Sequence, residues 1–229
     1  MSFHKFGGLS ALICAATYLF GFAFLLTFLA PTGYGTTAID AGAVVSFIAA
    51  WPAGLILFNS VIYILNALAL VALVVALAAR LSPSAPGWAA VTRGLGLIWA
   101  ALVLGAGMIG NVAAEQAARL AAGAPEASAD LWLTLHAVEL GLGGGNEIAG
   151  GVWIAAVSFA ALQVGVFGRI TAGIGLLAGA GGLLTLIPAF GDVAGAIFGL
   201  GAIAWFIAAG ITLLRRPAEP AANFVGVGA

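Results

Sequence analysis

The sequence predicts an all-α membrane protein: six transmembrane helices, an outer interfacial helix, and a projecting hairpin formed by the third and fourth helices. Three observations lead there. Hydrophobic residues make up 63% of the chain and charged residues only 7%, whereas a soluble domain carries about 25% charged residues. The apolar residues gather in runs of membrane-crossing length, separated by connections marked by Pro, Gly and charge. The Lys and Arg residues also sort to one side of a six-span layout, with a single exception. The 229 residues leave no room beside six spans for a soluble domain of ordinary size, so the chain reads as one polytopic membrane domain over 1–229.

The first span covers about 8–30, following His4 and Lys5, and lacks the small-residue cleavage site of a signal peptide. Pro31 and Gly33 end it. The stretch from Thr36 to Trp51 carries only Asp40 and stops at Pro52, which suits an interfacial or re-entrant helix. A second span runs over about 54–79 and closes at Arg80 and the turn-rich segment Ser82 to Gly87.

Helical character then runs from Trp88 to Ala122 and again from Asp130 to Leu162, with spans placed at 89–114 and 141–163. Each stretch would be roughly 50 Å long, against a hydrocarbon core of about 30 Å, so the pair is expected to project as a hairpin. Gly123 and Pro125 separate the two, and Ser128 and Asp130 supply capping and dipole-compatible charge at the start of the second. The last spans fall at 167–189 and 193–214.

Lys5, Arg80, Arg93, Arg169, Arg215 and Arg216 lie on one side of this layout and Arg119 on the other. Cytoplasmic loops carry the excess of Lys and Arg, so both termini are expected in the cytoplasm and the protein in the cell (inner) membrane. Asp40, Glu115, Glu126, Asp130, Glu139, Glu147 and Asp192 then make the outer rim acidic. A net charge of -1 with no basic stripe excludes nucleic-acid binding. The lone Cys14 has no disulfide partner in the chain. Trp51, Trp88, Trp132 and Trp153 are expected near the interfaces, where tryptophan is enriched. Gly175/Gly179 and Gly191/Gly195/Gly199 recur at four-residue spacing, a groove for close helix packing or for docking another membrane subunit. Asn59 and Asn66 are placed to bond between helices.

One polar constellation stands out on the fourth helix. Counted from His136, Glu139, Gly143, Asn146, Glu147 and Gly150 fall at offsets of 3, 7, 10, 11 and 14, one face of an α-helix. The run Gly141 to Gly145 is a poor helix interior, so a kink or a close approach is expected there. A simple fold-back about Pro125 sets Glu115 opposite His136 and Asn111 opposite Leu140. Glu115, His136 and Glu139 would then converge, offering ligand types acceptable to zinc, iron or manganese, or a place for a proton or water. Against this, Glu115 can simply pair with Arg119 one turn on. No cofactor is indicated, and the single histidine in the bundle rules out bis-histidine haem ligation.

The order of a Gly-containing first span, an outer amphipathic segment, Leu135-His136-Ala137 before a Gly-rich helix, and Phe167-Gly168-Arg169-Ile170 opening a Gly/Leu-rich span resembles a bacterial six-span family known only as domain of unknown function 4386. The resemblance runs from about Gly7 to Leu214 and implies a fold without an activity. For function, the residues favour binding of a small ligand, ion or lipid at the acidic outer-side site formed by Glu115, His136, Glu139, Asn146 and Glu147, in transport or sensing. An accessory subunit docking through Gly191, Gly195 and Gly199 is the first alternative, and an intramembrane enzyme using Glu/His acid-base chemistry the second. The chain has no intramembrane lysine for a retinal Schiff base and no Gly-x-Ser-x-Gly, His-Glu-x-x-His or Cys-x-x-Cys pattern.

Overall fold

The computed structural model describes residues 3–144 and 147–215, and among these every regular element is helical. Helix α1 spans Phe3–Phe24 and continues through a π-helical turn, Leu25–Leu29, and a 3-10 turn, Ala30–Thr32. Gly33, with φ 70°, ends it in the left-handed region that glycine tolerates. The short helix α2, Ala41–Ala50, starts where Asp40 Oδ1 accepts the Ala43 N–H at 3.0 Å, the side-chain cap that its position before an apolar run leads one to expect. Pro52 then opens α3, Pro52–Asn59, which passes through a second π segment, Ser60–Leu65, into α4, Asn66–Leu81. A continuous helical stretch thus covers the expected second span, with a π segment at its middle.

Helix α5, Pro86–Ala121, runs unbroken for 36 residues, about 54 Å at 1.5 Å per residue. It turns at Gly123 into α6, Pro125–Glu139, and the two pack as a hairpin. Ser128 does not cap α6. That helix begins at Pro125, and the Ser128 hydroxyl instead donates across the hairpin to the Ala117 carbonyl at 2.8 Å, fully buried. Beyond Glu139 a third π segment, Leu140–Gly144, breaks the helix at Gly143 (φ 150°, ψ 13°), and α7, Ile148–Gln163, resumes after Glu147. The glycine run therefore does interrupt the helix. Helices α8, Arg169–Leu184, and α9, Gly191–Arg215, complete the chain.

Among the described residues, five helical stretches are long and apolar enough to cross a membrane: Phe3–Thr32, Pro52–Leu81, Pro86–Ala121, Pro125–Gln163 and Val193–Arg215. Helix α8 has 16 residues, about 24 Å, and lies between α7 and α9. The expected span over 167–189 is shorter than drawn because the helix gives way at Thr185 to turns and a 3-10 segment, Pro188–Phe190.

The larger of two core clusters joins α1, α4, α5, α7, α8 and α9 around Trp99, Trp153, Trp205 and Phe206. The smaller lies under α2, between α3, α5 and α6, around Tyr34, Phe58 and Trp132. Trp132 and Trp153 were expected at an interface and are instead buried. Trp153 packs edge-on to Trp205 with ring centroids 5.4 Å apart, and Trp132 stacks on His136. Trp51 and Trp88 do remain partly exposed.

Glycines set the closest helix approach, at the expected Gly175 and Gly179 on α8 and at Gly151 on α7, which the spacing did not mark. A Cβ on Gly151 would lie 2.8 Å from the Gly179 carbonyl oxygen, and one on Gly179 would lie 2.7 Å from the Gly151 carbonyl oxygen. Helices α7 and α8 therefore touch backbone to backbone. Of the expected groove on α9, Gly199 meets Phe22, whereas a Cβ on Gly191 or Gly195 would meet nothing within 4 Å among the described residues. Asn66 bonds between helices as expected, its Nδ2 donating to Thr17 Oγ1 on α1 at 2.7 Å.

Candidate functional site

The fold-back of α6 on α5 places His136 and Glu139 in the interior, 5% and 2% exposed. The imidazole Nδ1 lies 3.1 Å from Glu139 Oε2, and as the carboxylate can only accept, the ring N–H donates. The ring is held on two sides: Trp132 stacks on it with centroids 4.7 Å apart and planes at 16°, and Tyr34 approaches at 5.1 Å. Glu139 lies against Gly110 of α5, where a Cβ would come within 3.3 Å of Oε2 and within 2.8 Å of Asn59 Nδ2. Glu139 Oε1 and Asn59 Oδ1 are both buried and accept no hydrogen bond from the described residues. Buried acceptors of this kind ordinarily mark ordered water or a proton.

Glu115 does not join this pair. It sits on the opposite face of α5 from Gly110, Ala113 and Ala117, its side chain 52% exposed, and forms an ion pair with Arg119 one turn on. Simple folding about Pro125 sets heights along the hairpin but not which way each residue faces. Asn111 donates to Ser60 Oγ at 3.0 Å. The trio of Glu115, His136 and Glu139 is therefore not assembled, and no three His, Cys, Asp or Glu side chains among the described residues form a metal-ligating group. Asn146 lies outside the described residues.

Glu147 belongs to a different place. It ends the break between α6 and α7 (φ −90°, ψ 21°), where its carbonyl accepts the Gly151 N–H at 2.8 Å and its own N–H points to Thr185 Oγ1 at 3.4 Å. Gly182 makes room for this, since a Cβ there would lie 2.7 Å from the Glu147 carbonyl oxygen. The carboxylate itself has no hydrogen-bond or ion-pair partner among the described residues. It faces a cavity of about 230 Å³.

That cavity is bounded by α1, the α3–α4 stretch, α5 and the break before α7. Its walls are mostly apolar and aromatic, and they include all three tyrosines of the chain, Tyr18, Tyr34 and Tyr63. Asn66 contributes an amide, and Phe22, Phe58 and Trp99 further rings. Each of the three π segments also reaches it, through Leu25, through Ile62 and Tyr63, and through Gly143. Short π turns inside α-helices occur frequently at functional sites.

None of the tyrosines was singled out from sequence. Tyr34 lies in a loop, but it is flanked by two left-handed glycines, Gly33 (φ 70°) and Gly35 (φ 78°), which turn its ring inward onto Phe58, Trp132 and His136. The pair of Gly residues around one aromatic residue is the signal that was available. Burial, aided by the Glu139 charge, holds the Tyr34 phenol well above its ordinary pKa, so it remains a hydroxyl donor. Tyr63, on the other wall, interacts with the Glu139 carboxylate. Tyr34 and Tyr63 thus stand between the cavity and the buried His136–Glu139 pair, which does not itself line the cavity.

No family model, no curated protein and no solved structure matches this chain. The functional reading accordingly rests on its own geometry.

Proposed function

We propose that this is a six-span protein of the cell (inner) membrane, with both termini in the cytoplasm, that binds a small ligand in the cavity beside Glu147, in transport or sensing. The observation that carries the reading is a carboxylate at a helix break, without a protein partner among the described residues, facing a mostly apolar cavity between the helices. An ionisable group inside a membrane bundle is costly and ordinarily faces a cavity or a partner. Irregular backbone at membrane depth is tolerated where it lines such a cavity. Helix α8 counts as the sixth span because it fills the layer between α7 and α9, with the turns after Leu184 extending it.

The alternatives have less support. An acid-base enzyme would use Glu139 or Glu147 with His136; the His136–Glu139 pair is formed, but it is buried and does not line the cavity, and no hydrogen bond among the described residues joins it to Glu147. An accessory subunit docking through Gly191 and Gly195 has only an open apolar face on α9, which lipid covers on any span.

Two experiments test the reading. Filling the cavity with Val103→Trp, at a buried lining position, should remove a small-molecule or lipid adduct seen by native mass spectrometry of protein extracted from its own membrane. Equal adducts on parent and variant, or none on either, would end the proposal. For orientation, Ser84→Cys and Gly123→Cys are each introduced with Cys14 replaced. An impermeant thiol reagent on intact cells should label position 123 and spare 84. The opposite pattern would invert the assigned sides and place the hairpin tip in the cytoplasm.

A further inference from the structure

The chemistry of the cavity wall narrows what it holds, given the binding reading above. The described residues that line it include one ionisable acid, Glu147, and no Lys or Arg. The only charge these walls can carry is negative, and an anionic occupant such as a fatty acid would meet the carboxylate without a compensating cation. A bare metal ion suits it no better. Hard cations take about six oxygen ligands, whereas here the walls are largely hydrocarbon and ring. A neutral apolar occupant would suit the walls but would leave Glu147 facing it unpaired.

Six aromatic rings border the same space: Tyr18, Phe22, Tyr34, Phe58, Tyr63 and Trp99. The faces of such rings attract a cation that has shed its water, and rings together with one carboxylate are how quaternary and alkylated ammonium groups are recognised. Cavity size agrees. A protein cavity of about 150 Å³ admits benzene, so 230 Å³ leaves room for an ammonium head on a body of roughly one ring or a short branched chain.

We propose that the cavity is a site for a small organic cation, an ammonium or alkylammonium with an apolar body, paired with Glu147 and enclosed by the tyrosine rings. Glu147 supplies the counter-charge. Tyr18, in the middle of α1, supplies a ring face, so its ring matters more than its hydroxyl.

The test is equilibrium binding of radiolabelled benzyltrimethylammonium to the full chain in detergent micelles. Binding should be saturable and displaced by the unlabelled cation, but not by phenylacetate of similar size. Glu147→Gln should weaken it at least tenfold. Tyr18→Phe should leave it within about threefold, while Tyr18→Leu should weaken it by about threefold to thirtyfold, the range that one cation–π contact spans. Size-exclusion profile and melting temperature check that each variant is folded, and Glu147→Asp, which keeps the charge, should bind the cation more tightly than Glu147→Gln. Absence of saturable binding in the parent, or binding by Glu147→Gln equal to the parent's, overturns the cation assignment. If the Val103→Trp-sensitive adduct persists while the cation fails to bind, the cavity holds a neutral molecule and only this inference falls. If both fail, the binding reading falls with it.

Discussion

Replacing His136 by alanine should lower the stability of the protein on the order of 3 kcal/mol, the cost of leaving a buried polar partner alone. Three contacts go at once: the 3.1 Å hydrogen bond to Glu139, the stack on Trp132 and the approach of Tyr34. Glu139 would then lose its imidazole partner, while Oε1 already lacks one among the described residues. The decisive comparison is the double substitution His136→Leu with Glu139→Met, which removes both polar groups and keeps the space filled. It should recover most of the loss, as apolar replacement of a buried pair does elsewhere. Unfolding of the purified protein by graded denaturing detergent measures all three. A double variant no more stable than His136→Ala would mean that the loss does not come from leaving Glu139 unpaired.

The interlock between α7 and α8 should be more sensitive still. Gly179→Leu would bring its Cβ to 2.6 Å from the Ala155 Cβ and 2.7 Å from the Gly151 carbonyl oxygen, and backbone cannot yield as a side-chain tip can. The helices must part, at a cost of about 3 kcal/mol or more. Loss of the monodisperse size-exclusion peak, or a strong fall in melting temperature, is expected. Gly173→Ala on the same helix is the control, since a Cβ there meets nothing within 4 Å. It should be neutral or stabilising by up to about 1 kcal/mol through helix propensity. Equal behaviour of the two variants would show that α8 is not held by close approach.

These two sites also mark what could be read in the chain and what could not. Length, hydropathy, Pro and Gly fixed how far along an axis each residue stands. The turns at Ser82 and Gly123 and the break at Gly143 fell where expected. Rotation about each axis was far less legible. Glu115 has the expected height on α5 but the wrong azimuth to meet His136, and Trp132 and Trp153 were placed by height where their facing decided burial. Glycines at four-residue spacing occur on several faces of so Gly-rich a chain, and Gly151 and Gly182 gave no sign that they, rather than Gly191 or Gly195, meet a neighbour. Glu147 was identified because charge next to an apolar run is conspicuous. The tyrosines that complete its cavity come from three separate stretches, and nothing local links them.

The π turns bear on motion. Each holds one residue more than an α-helix of the same height. A surplus residue need not stay where it is, because exchanging hydrogen bonds one at a time lets the bulge migrate along its helix. Every residue it passes swings by about 100°, the angle between neighbours in an α-helix, while the ends of the helix keep their places. In Ser60–Leu65 the residues so turned include Ile62 and Tyr63, and in Leu25–Leu29 they include Leu25, all on the cavity wall. The wall can thus be redrawn, a tyrosine withdrawn or presented, with no span tilting and no change in the outline that the surrounding lipid meets.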